Sequence, residues 1–336
     1  MKAAITQGAG RPLAVVDFPD PTPAPGELVV HVDSCGICGS DLHLAQHVDL
    51  PGIVLGHEFC GTVVAIGADC DPAWREGDRI AGYPLVGCGD CAYCRSGSVS
   101  KCASAAQLGL QRPGGFAEYT ALAAAGAFRI GDHLDDQLGA MVEPLAVAHH
   151  ALDRTPRPPE EPVLVIGGGP VGAATALWAR HRGARHVVVS DPVAHRRELC
   201  EAVGATATID PSVDDVASAF VALTGHLPGV VVECVGNPGM IQHATDVAAI
   251  DGHVTVVGVC MVPDQLAPLG ALQKELSTQF VLYYRMADFA ATIAALDTGA
   301  LDPSPMVTGQ VGFDALADRF ASLSHPTTDC KVLLTP

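Results

Sequence analysis

The sequence predicts an α/β protein of two domains, a β-rich one joined to a doubly wound parallel sheet. Three observations carry this expectation. The chain has 336 residues, more than one domain usually holds. Residues 1–130 show short apolar runs punctuated by Gly and Pro. From residue 163 apolar runs of strand length alternate with helical stretches, the pattern of a parallel sheet covered on both faces.

Each element follows from local pattern. Leu28–Val32, Gly61–Gly67 and Asp78–Gly82 read as strands, because each is an apolar run bounded by turn residues. The Pro-rich stretch Asp17–Gly26 is a loop, since Pro cannot donate to a sheet ladder. Gln137–Leu152 is rich in Ala and Leu and reads as one helix, and Arg154–Pro162, with four prolines, as a connector. Then come strand Val163–Ile166, helix Pro170–Arg182, strand His186–Ser190, helix Arg196–Val203 and strands Ala207–Ile209, Val230–Val235 and His253–Gly258. Ala287–Leu296 reads as a helix and Lys331–Leu334 as a last strand.

Composition narrows the function. Hydrophobic residues make up 49% and charged residues 17%, ample material for buried cores. Lys and Arg number 19 against 37 Asp and Glu, a net charge of −18. So acidic a surface repels nucleic acid and anionic lipid, and neither is an expected partner. No apolar run reaches the roughly 18 residues of a spanning helix, and Met1–Gln7 lacks the apolar core of a secretion signal. The expectation is a soluble, cytoplasmic protein. Its 12 cysteines then need another use than disulfides, which a cytoplasmic chain does not keep.

Gly167-Gly168-Gly169-Pro170-Val171-Gly172 follows an apolar strand and opens a helix. It fits G-x-G-x-x-G at Gly167, Gly169 and Gly172, with Pro170 and Val171 between, and predicts a dinucleotide diphosphate on the helix N-terminus. Asp191 ends the second strand, 24 positions after Gly167, where a carboxylate accepts from the adenosine ribose hydroxyls. It would repel a 2′-phosphate, which favours NAD over NADP. Arg196 opens the next helix, over the adenine or simply in solvent.

Cys88, Cys91, Cys94 and Cys102 form C-x2-C-x2-C-x7-C, four thiolates able to enclose one tetrahedral zinc; an iron–sulfur site is the competing use. With every position filled by protein, the ion is structural. A dispersed set, Cys38, His57 and Glu143, offers thiolate, imidazole and carboxylate with a fourth position open, the arrangement of a catalytic zinc. Cys35 and Cys38 also spell a redox C-x-x-C, but no thioredoxin-like pattern surrounds them.

Gly56-His57-Glu58-Phe59-Cys60-Gly61 followed by Gly67 and Cys70, the cysteine lobe, Gly114–Tyr119, Glu143-Pro144-Leu145-Ala146 and the glycine fingerprint stand in the order of a known family. The chain resembles the zinc-containing medium-chain dehydrogenases over nearly its whole length. The resemblance implies a GroES-like catalytic domain at 1–150 and 288–336 around a Rossmann NAD-binding domain at 151–287, with the active site in the cleft. It also implies two Zn²⁺ per chain, one catalytic and one structural, and a homodimer or homotetramer.

Glu143, where many alcohol dehydrogenases carry cysteine, is similar to the polyol, threonine and butanediol dehydrogenase branch, in which Glu58 is an alternate zinc ligand or a carboxylate that orients the site. Ser40 resembles the hydroxyl that takes the alcohol proton, and His43 the base that relays it to solvent. The implied reaction is hydride transfer between NAD and a secondary alcohol, diol or cyclic alcohol and its ketone. A zinc-free enone reductase, or a catalytically silent NAD-binding or structural protein on this scaffold, is the alternative; the complete ligand set argues against both.

Overall fold

The computed structural model describes residues 1–158, 160–325 and 328–336; Pro159 of the expected connector lies outside them. The chain divides into two compact units. One comprises Met1–Glu143, Tyr284–Gly299 and Val307–Pro336, the other Pro144–Tyr283 and Ala300–Met306. The border thus falls between Glu143 and Pro144, earlier than the expected 150, and the return at Tyr284 precedes the expected 288.

Nine strands precede the border: β1 Lys2–Ile5, β2 Ala14–Asp17, β3 Glu27–Gly36, β4 Glu58–Ile66, β5 Arg79–Gly82, β6 Leu85–Val86, β7 Ala106–Gln107, β8 Tyr119–Ala123 and β9 Ala127–Arg129. The second unit supplies β10 Val163–Ile166, β11 Val187–Ser190, β12 Ala207–Ile209, β13 Val230–Glu233, β14 His253–Val256 and β15 Ser277–Phe280. The chain then returns with β16 Val307–Val311 and β17 Lys331–Leu334.

The first unit is built on a seven-stranded sheet, β16-β17-β3-β4-β5-β9, with β8 also paired to β3. β3 and β4 run antiparallel, with Gly36 opposite Glu58, and β17 lies antiparallel to β3 with Leu333 opposite Gly36. Alternate residues of β3, Leu28, Val30 and Val32, join Phe59, Val63, Ile80, Leu122, Leu316 and Phe320 in one core. Two elements from opposite ends of the sequence, β3 and β17, are thereby fixed side by side.

The second unit is a six-stranded parallel sheet in the order β12-β11-β10-β13-β14-β15, every pair parallel. This 3-2-1-4-5-6 order is that of a doubly wound dinucleotide fold. Its inner strands are buried on both faces, which is why Val163–Ile166 and Val230–Val232 read as unbroken apolar runs.

The single helix expected at 137–152 is two helices, Asp136–Ala140 and Val142–Asp153, parted at Met141. Pro144 accounts for the break. It has no N–H for the carbonyl four residues back, and it is accommodated only where a first turn begins.

Candidate active site

Cys38 precedes the helix Gly39–His47, and its own N–H donates to Asp41 Oδ2 at 3.0 Å. Asp41 Oδ1 stands 3.3 Å from His57 Nδ1 and accepts from Gly56 N at 3.5 Å. Asp41 therefore ties both candidate ligand segments together, and contact at Nδ1 leaves Nε2 as the nitrogen to meet a metal. Burial pulls the His57 pKa down, but Asp41 and Cys38 outweigh it and hold the imidazole well above its ordinary value.

Donor atoms of Cys38, His57 and Glu58 lie within 4.8 Å of one another. Glu143, the expected third ligand, is not of that trio. It sits in the first turn of Val142–Asp153, is 5% exposed, and its Oε1 accepts from the Tyr284 hydroxyl at 2.7 Å. Burial pushes its carboxyl up to about 7, with Glu58 adding to the rise and His57, Tyr284 and Lys331 opposing it. One thiol, one imidazole and one carboxylate so gathered are a donor set that fits zinc.

Ser40 and His43 are three residues apart in the Gly39–His47 helix, on one face and exposed. The His43 ring stacks on His47 with centroids 6.0 Å apart. Leu44, one turn beyond Ser40, lines an apolar recess with Val48, Leu50, Ile53, Leu55, Leu110 and Thr6.

The second metal cluster is Cys88, Cys91, Cys94 and Cys102, whose sulfurs also lie within 4.8 Å of one another. Cys88 Sγ and Cys94 Sγ are 4.0 Å apart, Cys94 N donates to Cys91 Sγ at 3.4 Å, and Cys88 N donates to Cys102 Sγ at 3.5 Å. The N–H groups of Cys88 and Ser104 bring the Cys102 thiol down to about 6. Four sulfurs so arranged, with backbone donors that favour thiolate, fit a tetrahedral zinc.

In the second unit β10 turns at Gly167, whose φ is +97°, into the helix Pro170–His181, which Gly169 caps. A Cβ on Gly172 would stand 1.8 Å from the Gly167 carbonyl oxygen, so only glycine lets the helix start this close to the strand. Asp191, at the end of β11 and 3% exposed, accepts from Gly168 N at 2.8 Å through Oδ2 and from Val193 N at 2.8 Å through Oδ1. Arg196 Nη1 lies 3.8 Å from Asp191 Oδ2. Glycine loop, acidic residue and arginine thus meet at the carboxyl ends of β10 and β11, where doubly wound sheets bind dinucleotides.

Sequence reasoning missed three residues of the metal region. Asp41 had a local signal, standing three after Cys38 as the acidic residue of a capping box. Tyr284 and Lys331 had none, since only the fold brings them to Glu143 and Glu58.

Residues 24–132 match the family described as Alcohol dehydrogenase GroES-like domain, and residues 170–298 that described as Zinc-binding dehydrogenase. An L-threonine 3-dehydrogenase of Saccharopolyspora erythraea is 32% identical over 92% of this chain and 91% of its own. A zinc-binding dehydrogenase of Sinorhizobium meliloti 1021, solved with NADP, superposes with a TM-score of 0.92 at 34% identity, covering 100% and 99% of the two chains. An alcohol dehydrogenase of E. coli CFT073, solved with NADH, gives 0.92 at 30% identity with the same coverage. The chain belongs to the zinc-containing medium-chain dehydrogenases, and is an alcohol dehydrogenase made of a GroES-like domain and a Rossmann domain.

Proposed function

We propose that the enzyme oxidises a neutral secondary alcohol, diol or cyclic alcohol with NAD, using one catalytic and one structural zinc. The observation that carries this is the Cys38, His57 and Glu58 donor cluster, with Glu143 buried and bonded to Tyr284. Zinc bound there would polarise the alcohol oxygen, and the nicotinamide would accept the hydride. Cys38 and His57 hold the ion with Glu143 as the expected third ligand and Glu58 as the alternate, and Asp41 orients His57. The Ser40 hydroxyl takes the alcohol proton and His43 passes it to solvent; the exposure of both side chains supports that route.

Asp191 supports NAD, because its buried carboxylate beside Gly168 repels a 2′-phosphate. The sulfurs of Cys88, Cys91, Cys94 and Cys102 are gathered as for a metal, in favour of a reducing compartment such as the cytoplasm.

Val259, Met261, Leu269, Leu272, Phe280 and Leu282 are each more than half exposed, around the edge strand β15. So large an apolar surface on an open edge calls for cover and supports a homodimer or homotetramer. Metal analysis together with NAD and NADP turnover on a panel of secondary alcohols and polyols tests the reading. Two zincs and NAD-linked turnover are expected; bound NAD without turnover would leave only a binding role.

A further inference from the structure

The amino-terminal edge of the parallel sheet is basic in an acidic chain. Five of the 19 Lys and Arg, namely Arg154, Arg157, Arg180, Arg182 and Arg185, fall within residues 154–185. They stand at the ends of the helices Val142–Asp153 and Pro170–His181 and ahead of β10 and β11. This is the end of the sheet opposite the glycine loop. A recess opens there, lined by Thr155, Arg157 and Arg182 over Val163 and Val230. Its volume is about 30 Å³, roughly two to three times what one water needs.

The two arginines of the recess differ. Arg182 Nη2 donates to the His149 carbonyl at 3.1 Å, and its guanidinium lies 6.0 Å from the Trp178 ring. The half-buried Arg157 guanidinium has no hydrogen-bond or ion-pair partner among the described residues. Asp153 and Glu160 are exposed, and Glu161 takes the space over Gly229, which points to the opposite face from its neighbour Val230.

His253 borders the recess from the next strand. Val163, Val230 and His253 are register partners across β10, β13 and β14, so their side chains share one face. Thr255 shares it too, with Oγ1 2.8 Å from Thr155 Oγ1. The His253 ring is 4% exposed, and neither nitrogen has a partner among the described residues. A neutral imidazole always has one N–H to give, and a buried one without an acceptor is costly. Burial and then the Arg157 charge lower the His253 pKa, which sets guanidinium and ring close together. An unpaired cation and an unsatisfied donor thus face one small space.

We propose that this recess binds a tetrahedral oxyanion, a phosphate ion or the terminal phosphate of a monoester, through the Arg157 guanidinium and the His253 N–H. A guanidinium fork holds two such oxygens at once, and the imidazole reaches a third. The site is separate from the dinucleotide diphosphate, which belongs at the carboxyl ends of the same strands.

The test titrates inorganic phosphate into the full-length enzyme saturated with NADH, so that the glycine loop is filled and cannot take the ion. Calorimetry should show one saturable site, and the thermal midpoint should rise with phosphate, as binding to the folded state requires. Arg157→Gln should weaken phosphate about tenfold or more, the usual scale for a lost hydrogen bond to a charged group, and leave NADH affinity unchanged. Arg185→Gln takes the same charge from the same edge outside the recess and should leave phosphate affinity as it is. Glycerol 3-phosphate run beside inorganic phosphate separates the two sources: tighter binding of the monoester makes the ligand a phosphorylated metabolite, weaker binding the free ion. No phosphate binding to the NADH-saturated enzyme, Arg157→Gln equal to wild type, or an equal loss in Arg185→Gln would overturn the proposal.

Discussion

The Tyr284 hydroxyl donates a 2.7 Å hydrogen bond to Glu143 Oε1, joining two residues 141 positions apart inside one buried pocket. It fixes one carboxylate oxygen, and on the zinc reading proposed above the other is the one to meet the metal. Replacing Glu143 with Ala should lower catalytic-zinc occupancy and turnover together. Tyr284→Phe should keep the fold and weaken metal retention by about 10–100-fold, the usual cost of removing a partner that orients a ligand. Zinc analysis beside turnover checks both. Full activity with two zincs per chain in Glu143→Ala would remove Glu143 from the ligands.

Asp191 spends one oxygen on Gly168 and one on Val193, so it shapes the glycine loop besides the ribose role proposed for it. Asp191→Ala should weaken NAD about tenfold or more, in line with the roughly 1.5–3 kcal/mol of a hydrogen bond to a charged group. NADP should lose less, because the repulsion of its 2′-phosphate goes too. Titration with both dinucleotides decides it, and equal losses would contradict the ribose role.

Cys91 accepts from Cys94 N at 3.4 Å and caps the short helix Ala92–Arg95. Cys91→Ser should lower the thermal midpoint and leave one zinc per chain, with turnover per folded molecule reduced less than stability. A stable variant still holding two zincs would rule out the structural-lobe reading.

His253 opens β14, is 4% exposed, and neither ring nitrogen has a hydrogen-bond partner among the described residues. Burial, with help from Arg157, lowers its pKa below the ordinary 6.5. The unfolded chain therefore binds the proton more readily than the folded one. The contribution to stability is intact above pH 6.5 and is lost as pH falls below it. His253→Leu should flatten the acid side of the stability curve; denaturant melts at pH 5 and pH 8 with an unchanged difference would refute this.

The parallel sheet was legible because its inner strands bury both faces, so β10, β11 and β13 announce themselves as apolar runs. β15 was not, since Ser277, Thr278 and Phe280 of this edge strand are exposed and show no apolar alternation. The metal region divides in the same way. Cys38, His57 and the four-cysteine lobe lie in short segments whose spacing already speaks of metal. Tyr284 and Lys331 act on Glu143 and Glu58 across separations of 141 and 273 residues, and such pairings exist only once the fold has formed.

That last separation bears on how the molecule is made. β17 must pair with β3 before Lys331 can reach Glu58, and the whole of β10 to β15 intervenes in the sequence. Contacts of such long range are closed late in folding, because chain entropy resists them until the intervening segments are compact. Tyr284 and Lys331, the partners that hold Glu143 and Glu58, therefore arrive only after the coenzyme unit has emerged, whereas the four-cysteine lobe, within 15 residues, is complete while most of the chain is still to come.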